Sequence, residues 1–121
     1  MIRQICAAAL VLISASYAAA AELIMFEEDG CVYCARWKNE IGPIYPKTPE
    51  AVYAPLTMQN IAQPVPDNIT LAQAVVFTPT FVLVEDGQEL GRIEGYPGEE
   101  MFWWMLARLL SENSDYEKEA K

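Results

Sequence analysis

The feature that most constrains this chain is a pair of cysteines, Cys31 and Cys34, separated by two residues. The pair follows a short apolar segment typical of a strand and precedes a segment with the helical spacing of apolar residues. The first thiol is therefore expected near a helix N-terminus, where the macrodipole and free backbone N–H groups favour the reactive thiolate. The second thiol lies one turn further on, close enough to form a disulfide. This arrangement predicts thiol–disulfide exchange.

The N-terminus has the layout of a secretory signal peptide. Arg3 supplies a positive charge, residues 5–13 form an uncharged apolar stretch, and Ala19-Ala20-Ala21 offers a cleavage site of small residues. Cleavage after Ala20 is an alternative register. An uncleaved membrane anchor is disfavoured because the apolar stretch is too short to span a bilayer. The sequence therefore predicts a signal peptide over residues 1–21 and an exported protein.

Cleavage would change both the cysteine count and the charge. It removes Cys6, which leaves one cysteine pair in a compartment where disulfides persist. It also removes Arg3, so the formal net charge passes from −9 to −10. An acidic surface argues against nucleic acid and anionic membranes as partners. The remaining 100 of 121 residues suit one domain, which we place at residues 22–112, followed by a polar tail over residues 113–121.

Hydrophobic periodicity and turn residues predict the order of the elements. The predicted elements are a strand at 22–26, a helix at 34–41, a proline-rich loop at 43–55 with one helical turn around 49–53, a strand at 56–61, a helix from Asp67 or Asn68 to Val75, strands at 80–85 and 88–94, and a helix at 99–110. Asp86-Gly87 is a strong hairpin signal between the last two strands. Residues 111–121 are expected to fray. The pattern predicts a small α/β fold.

Two other uses of the cysteine pair are less favoured. A zinc site needs about four ligands, whereas the chain has no histidine and only two cysteines beyond the signal peptide. A purely structural disulfide across so short a loop would restrict the unfolded chain little. Redox chemistry is therefore the favoured interpretation, with both alternatives left open.

A second motif, Thr78-Pro79-Thr80, begins the strand that follows the predicted second helix. A trans proline in a loop would be unremarkable. A cis proline here would bring the backbone of Thr78 against the two sulfurs, where its N–H and C=O groups could pair with an extended substrate chain.

Taken in order, the strand, the Cys31–Cys34 helix, Thr78-Pro79-Thr80, the hairpin and the last helix resemble the thioredoxin superfamily over residues 22–112. Residues 30–37, Gly-Cys-Val-Tyr-Cys-Ala-Arg-Trp, together with the signal peptide, are more narrowly similar to the periplasmic SoxS-type thioredoxins of bacterial sulfur-oxidation gene clusters. The resemblance implies a thioredoxin-like fold: a small central mixed sheet flanked by helices, with a C-terminal antiparallel hairpin followed by a helix. It also implies that Cys31 attacks, that Cys34 resolves, and that a cis Pro79 faces them.

The resemblance implies a periplasmic oxidoreductase that reduces disulfides or modified cysteines on partner proteins, one of them a sulfur-carrier protein. A membrane electron donor would then reduce the oxidised protein again. The protein is expected to be a monomer, without a cofactor or metal. Tyr33 is a candidate partner contact beside Thr78 and Pro79, simple packing being the alternative. The rival functions are a disulfide oxidase or isomerase and a non-catalytic interaction domain.

The chain departs from thioredoxins proper at several positions. Gly30 stands where they have tryptophan, Val-Tyr replaces Gly-Pro between the cysteines, and Met25 replaces a buried aspartate. Another group must therefore take the proton from Cys34, the candidates being water, Glu27 and Glu28.

Charge near the first cysteine bears on the direction of electron flow. The run Glu27-Glu28-Asp29 is expected to disfavour a thiolate at Cys31, and Arg36 and Lys38 offset part of this effect. A less stabilised thiolate predicts a reducing couple. The alternative is a solvated acidic turn with little influence, since exposed charges are screened.

Overall fold

Four strands form one mixed sheet in a computed structural model, which describes residue 12 and residues 21–119. The strands are β1 (Ala21–Glu27), β2 (Leu56–Asn60), β3 (Thr80–Glu85) and β4 (Gln88–Glu94), in the sheet order β2-β1-β3-β4. β1 is parallel to β2 and antiparallel to β3, and β3 is antiparallel to β4. The helices are α1 (Val32–Glu40), α2 (Pro49–Tyr53), α3 (Glu99–Asn113) and α4 (Tyr116–Glu119).

The two faces of the sheet are covered in different ways. Alternate residues of a strand point to opposite faces, so Leu23 and Met25 of β1 face one core and Ile24 and Phe26 face another. The first core contains the buried residues of α1 and α3. The second is covered by side chains from the irregular segment between β2 and β3: Val65, Ile69, Leu71 and Val75. The helices α1 and α3 therefore lie on the same face of the sheet.

Aromatic packing fixes α1 against the sheet. Trp37 is fully buried, and its ring centroid lies 5.1 Å from that of Phe81 in β3 and 5.7 Å from that of Phe102 in α3. A buried aromatic side chain contributes a large apolar area to the core. Because Trp37 lies one turn after Cys34, this packing holds the start of α1 in place.

The helix predicted from Asp67 or Asn68 to Val75 is wrong. Thr70 instead forms a bridge with Gln88: its N–H donates to the Gly87 carbonyl at 2.7 Å and its carbonyl accepts from the Glu89 N–H at 3.0 Å. These partners take the backbone groups that a helix would pair internally. Contact with β4 therefore overrides the local helical spacing.

The proline-rich loop is more ordered than a simple connection. It contains a 3₁₀ turn at Tyr45–Lys47 and the predicted helical turn at α2, where the Ala51 N–H donates to the Thr48 hydroxyl at 3.2 Å. Tyr45 is buried, and its hydroxyl donates to the Ala54 carbonyl at 2.6 Å. One buried side chain thus ties the two ends of this loop together.

The two ends of the chain were predicted to be a signal peptide and a polar tail. The predicted signal peptide lies outside the described residues except for residue 12 and Ala21, which is buried in β1 opposite Glu85. At the other end, α3 continues to Asn113, three residues past the predicted helix end at Leu110, and α4 follows it. Tyr116 packs edge-on against Tyr53 at 5.4 Å between ring centroids. Over the described part of the chain, no helix combines the length and apolar character required to cross a membrane.

Candidate active site

The turn from β1 into α1 places the cysteine pair. Gly30 has φ +78°, a conformation that favours glycine, and it reverses the chain just before Cys31. Cys31 is the N-cap of α1, and its Sγ accepts a hydrogen bond from the Cys34 backbone N–H at 3.1 Å. The two cysteines form a disulfide, with 5.2 Å between their Cα atoms. The predicted position of the pair at a helix N-terminus is confirmed.

The two sulfurs differ in accessibility. Cys34 is 2% exposed and belongs to the main core, whereas Cys31 is only partly buried at its edge. A second molecule can therefore approach Cys31 but not Cys34. Among residues 21–119, no group of three or more Cys, Asp or Glu side chains is placed to hold a metal ion.

The Thr78–Pro79 peptide bond is cis, and two neighbouring loops hold it. The Thr78 hydroxyl donates to Oε1 of Glu28 at 2.7 Å, which links this loop to the turn before Cys31. The Pro79 carbonyl accepts from the Gly95 N–H at 2.8 Å, which links it to the end of β4. Three segments far apart in sequence therefore converge at the disulfide end of the sheet.

A groove of about 600 Å³ lies at this convergence. Its lining includes Tyr33, Thr78 and Pro79, the three candidate partner contacts from the sequence. Tyr33 is 56% exposed, so it does not serve mainly to fill the core. The groove also takes in Tyr96 and Met101, which sequence patterns gave no reason to place here.

Ion pairs surround the site. Glu27 pairs with Lys38, and Arg36 Nε donates to Oε1 of Glu40 at 2.8 Å. The Tyr96 hydroxyl donates to the other oxygen of Glu40, and the Arg36 guanidinium lies 5.7 Å from the centroid of the Tyr96 ring. The Tyr96 hydroxyl and Arg36 hold the pKa of Glu40 below its usual value, while burial and the bond to Glu40 raise the pKa of Tyr96 to about 12. No sequence motif signals this contact, which joins residues 56 positions apart.

The position of the thioredoxin aspartate is apolar in this structure. Met25 is fully buried in the main core. Glu27 lies two residues further along β1, on the same face by strand alternation, and its Oε2 is buried. Glu28 turns instead toward Thr78. Glu27 is thus the carboxylate on the cysteine side of the strand.

A family model described as a thioredoxin-like domain matches residues 12–110. The chain belongs to this thioredoxin-like family. The crystal structure of the periplasmic thioredoxin SoxS from Paracoccus pantotrophus, in its reduced form, is similar to it at 54% sequence identity and a TM-score of 0.72, with 74% of this chain and 94% of that chain covered. The predicted resemblance and the predicted fold are both confirmed.

More distant thioredoxin-like structures support the fold alone. A thioredoxin-fold protein from Helicobacter pylori shares 19% identity at a TM-score of 0.60, covering 82% of this chain and 73% of that one. Malassezia sympodialis thioredoxin shares 21% identity at a TM-score of 0.50, covering 74% and 75%. No curated protein sequence matches the chain. With its Cys31–Cys34 pair on this fold, the thioredoxin-like chain is a thiol–disulfide oxidoreductase.

Proposed function

We propose that this protein is a periplasmic reductase of disulfides or modified cysteines on partner proteins. The observation that carries the proposal is the asymmetry of the pair: a reachable Cys31 at a helix N-terminus, backed by a buried Cys34 whose N–H contacts the Cys31 sulfur. The helix N-terminus and that N–H both favour a thiolate at Cys31 in the reduced protein.

The reaction follows from this arrangement. The Cys31 thiolate attacks a sulfur of the partner's disulfide, a new S–S bond forms, and the displaced sulfur leaves with the bonding electrons and takes up a proton. Cys34 then loses its proton and attacks Cys31, which releases the partner's thiol and closes the Cys31–Cys34 disulfide. Two electrons have passed from the protein to the partner.

Glu27 is the proposed acceptor of the Cys34 proton. It shares a face of β1 with Met25, which packs in the same core as Cys34. Its partner Lys38 lies four residues after Cys34, on the same side of α1. Water and Glu28 are the competing acceptors, and Glu28 is turned to Thr78.

The reducing direction rests on charge and similarity. Lys38 and Arg36, the cations nearest the pair in sequence, are both engaged by carboxylates, while Glu28 and Asp29 precede Cys31 without a cation partner among residues 21–119. A thiolate in such surroundings is less stabilised than in an oxidase, which favours reduction of the partner. Similarity to the periplasmic thioredoxin SoxS supports the periplasmic location. A sulfur-carrier protein as partner and a membrane electron donor as the source of electrons are proposed from the resemblance to SoxS-type thioredoxins.

Two measurements test the proposal. Equilibration with glutathione should give a reduction potential near −270 mV, as in thioredoxin, whereas a value near about −120 mV would mark an oxidase. In an insulin-reduction assay the wild type should turn over and Cys31→Ser should not. Cys34→Ser should instead accumulate a mixed disulfide with its substrate. Equal, negligible activity of wild type and Cys31→Ser would favour a non-catalytic interaction domain.

A further inference from the structure

The groove beside the disulfide has an exposed apolar lining. Tyr33 is 56% exposed and Met101 47% exposed, and both line it. Next to it, Val32 lies between the cysteines and Phe77 precedes the cis-proline loop, at 75% and 47% exposed. Large apolar side chains that stay accessible around a reactive site indicate a surface that another protein covers.

The basic side chains near the disulfide are paired with carboxylates. Arg36 lines the groove, but it pairs with Glu40, and Lys38 pairs with Glu27. The groove itself therefore does not select for an acidic partner.

Carboxylates without a cation partner lie in the groove and in the turn that precedes Cys31. Asp29 is exposed in the turn before Cys31, and Glu94 lines the groove at the end of β4. Neither has a basic partner within residues 21–119. Glu28 has no cation partner there either, since its hydrogen-bond partner is the neutral hydroxyl of Thr78. The complementary ligand therefore combines apolar contact in the groove with positive charge toward Glu94 and toward the turn before Cys31.

We infer that the substrates are protein segments in which the reactive cysteine is accompanied by a bulky apolar side chain and flanked by lysine or arginine. The inference rests on the proposed function and specifies its substrate class. The apolar side chain would cover Tyr33 and Met101, and the basic side chains would lie near Asp29 and Glu94. Opposite charges at a rim mainly raise the association rate and discriminate between partners.

Synthetic peptides can isolate this preference. Three peptides would share one cysteine and one leucine and carry lysine, glutamine or glutamate on both sides of the cysteine. Each cysteine would be blocked as a disulfide with 2-mercaptoethanol, a neutral thiol. The fully reduced protein supplies the two electrons, and release of the peptide thiol gives the rate constant. Dithiothreitol, which is uncharged, supplies the intrinsic reactivity of each peptide for normalisation.

After normalisation, the lysine peptide should react about tenfold faster than the glutamate peptide at low salt. This ratio corresponds to a factor of about three for each of two exposed charge pairs. The ratio should fall toward one at about 0.5 M salt, where screening is strong. The double variant Asp29→Asn, Glu94→Gln should lose most of the preference.

The matched control removes the same charge elsewhere. Glu85 lies at the opposite end of β3 from Thr80, roughly 17 Å away at about 3.3 Å per residue, and Asp67 is exposed in the segment before β3. The variant Asp67→Asn, Glu85→Gln should keep the lysine preference. Equal loss in both double variants would show a net-charge effect and overturn the inference.

Two further outcomes are decisive. Equal normalised rates for the three peptides, or a preference for glutamate, would refute the substrate class while leaving the reductase intact. Absence of thiol release from every peptide and from insulin would refute the proposed function, and the inference with it.

Discussion

Replacing Tyr45 with phenylalanine should destabilise the protein, whereas the same change at Tyr53 should not. Both hydroxyl oxygens are buried, but only one is paired. The Tyr45 hydroxyl donates to the Ala54 carbonyl at 2.6 Å, and the Tyr53 hydroxyl has no hydrogen-bond partner within residues 21–119. Both substitutions therefore remove a buried hydroxyl oxygen, which is hydrogen-bonded in Tyr45 and unpaired in Tyr53.

The expected magnitudes follow from desolvation. Tyr45→Phe takes a partner from the carbonyl of the fully buried Ala54, which should lower the free energy of unfolding by about 1–2 kcal/mol. Tyr53→Phe removes a hydroxyl that lost its water without gaining a protein partner, so it should be neutral or stabilise by up to about 1 kcal/mol. In a domain of about 100 residues, each kcal/mol corresponds to about 4–8 °C in Tm.

Urea unfolding of the oxidised proteins, followed by far-ultraviolet circular dichroism, measures the difference. The slopes of the two transitions should match that of the wild type, so that a shift in midpoint reports stability alone. Equal destabilisation by both variants, or no effect of Tyr45→Phe, would refute the assignment of the buried hydrogen bond.

Three other changes have defined outcomes. Gly30→Ala should lower the free energy of unfolding by about 1 kcal/mol because φ is +78° there, and an unchanged urea midpoint would contradict this. Tyr96 has a pKa raised from 10.0 to about 12, so its contribution to stability is complete below pH 10 and is lost as the pH rises toward 12. Tyr96→Phe should therefore reduce the fall of the unfolding free energy between pH 10 and 12. An unchanged pH dependence would count against this reasoning. Glu27→Gln should slow the resolution of a preformed mixed disulfide at least about tenfold and alter its pH profile, while Glu22→Gln, at the other end of β1, should leave both as in the wild type.

Local signals were sufficient where an element depends on its own residues. The hairpin strands begin and end at the predicted residues around Asp86-Gly87, since a two-residue turn with positive φ at both positions sets the pairing by itself. The strand-to-helix junction at Cys31 was predicted for the same reason: an apolar strand, a glycine and a helical pattern follow one another directly.

Local signals failed where a distant strand supplied the partners. Residues 68–75 have a capping residue and helical spacing, yet Thr70 pairs with β4 and Arg92 donates to the carbonyls of Gln73 and Ala74. The burial of Tyr45 under a proline-rich loop was equally invisible in the sequence, because proline density excludes regular elements without saying what the loop covers.

By itself, the sequence determined the chemistry: two cysteines one turn apart, no histidine, and a Thr-Pro motif leading into a strand. The tertiary structure decided which sulfur a partner can reach and which charges surround it. Cys34 is buried and Cys31 only partly so. The bond from Thr78 to Glu28 and the pairing of Glu27 with Lys38 each join segments that are separated along the chain. Such contacts depend on how the sheet brings its loops together, which residue spacing alone does not encode.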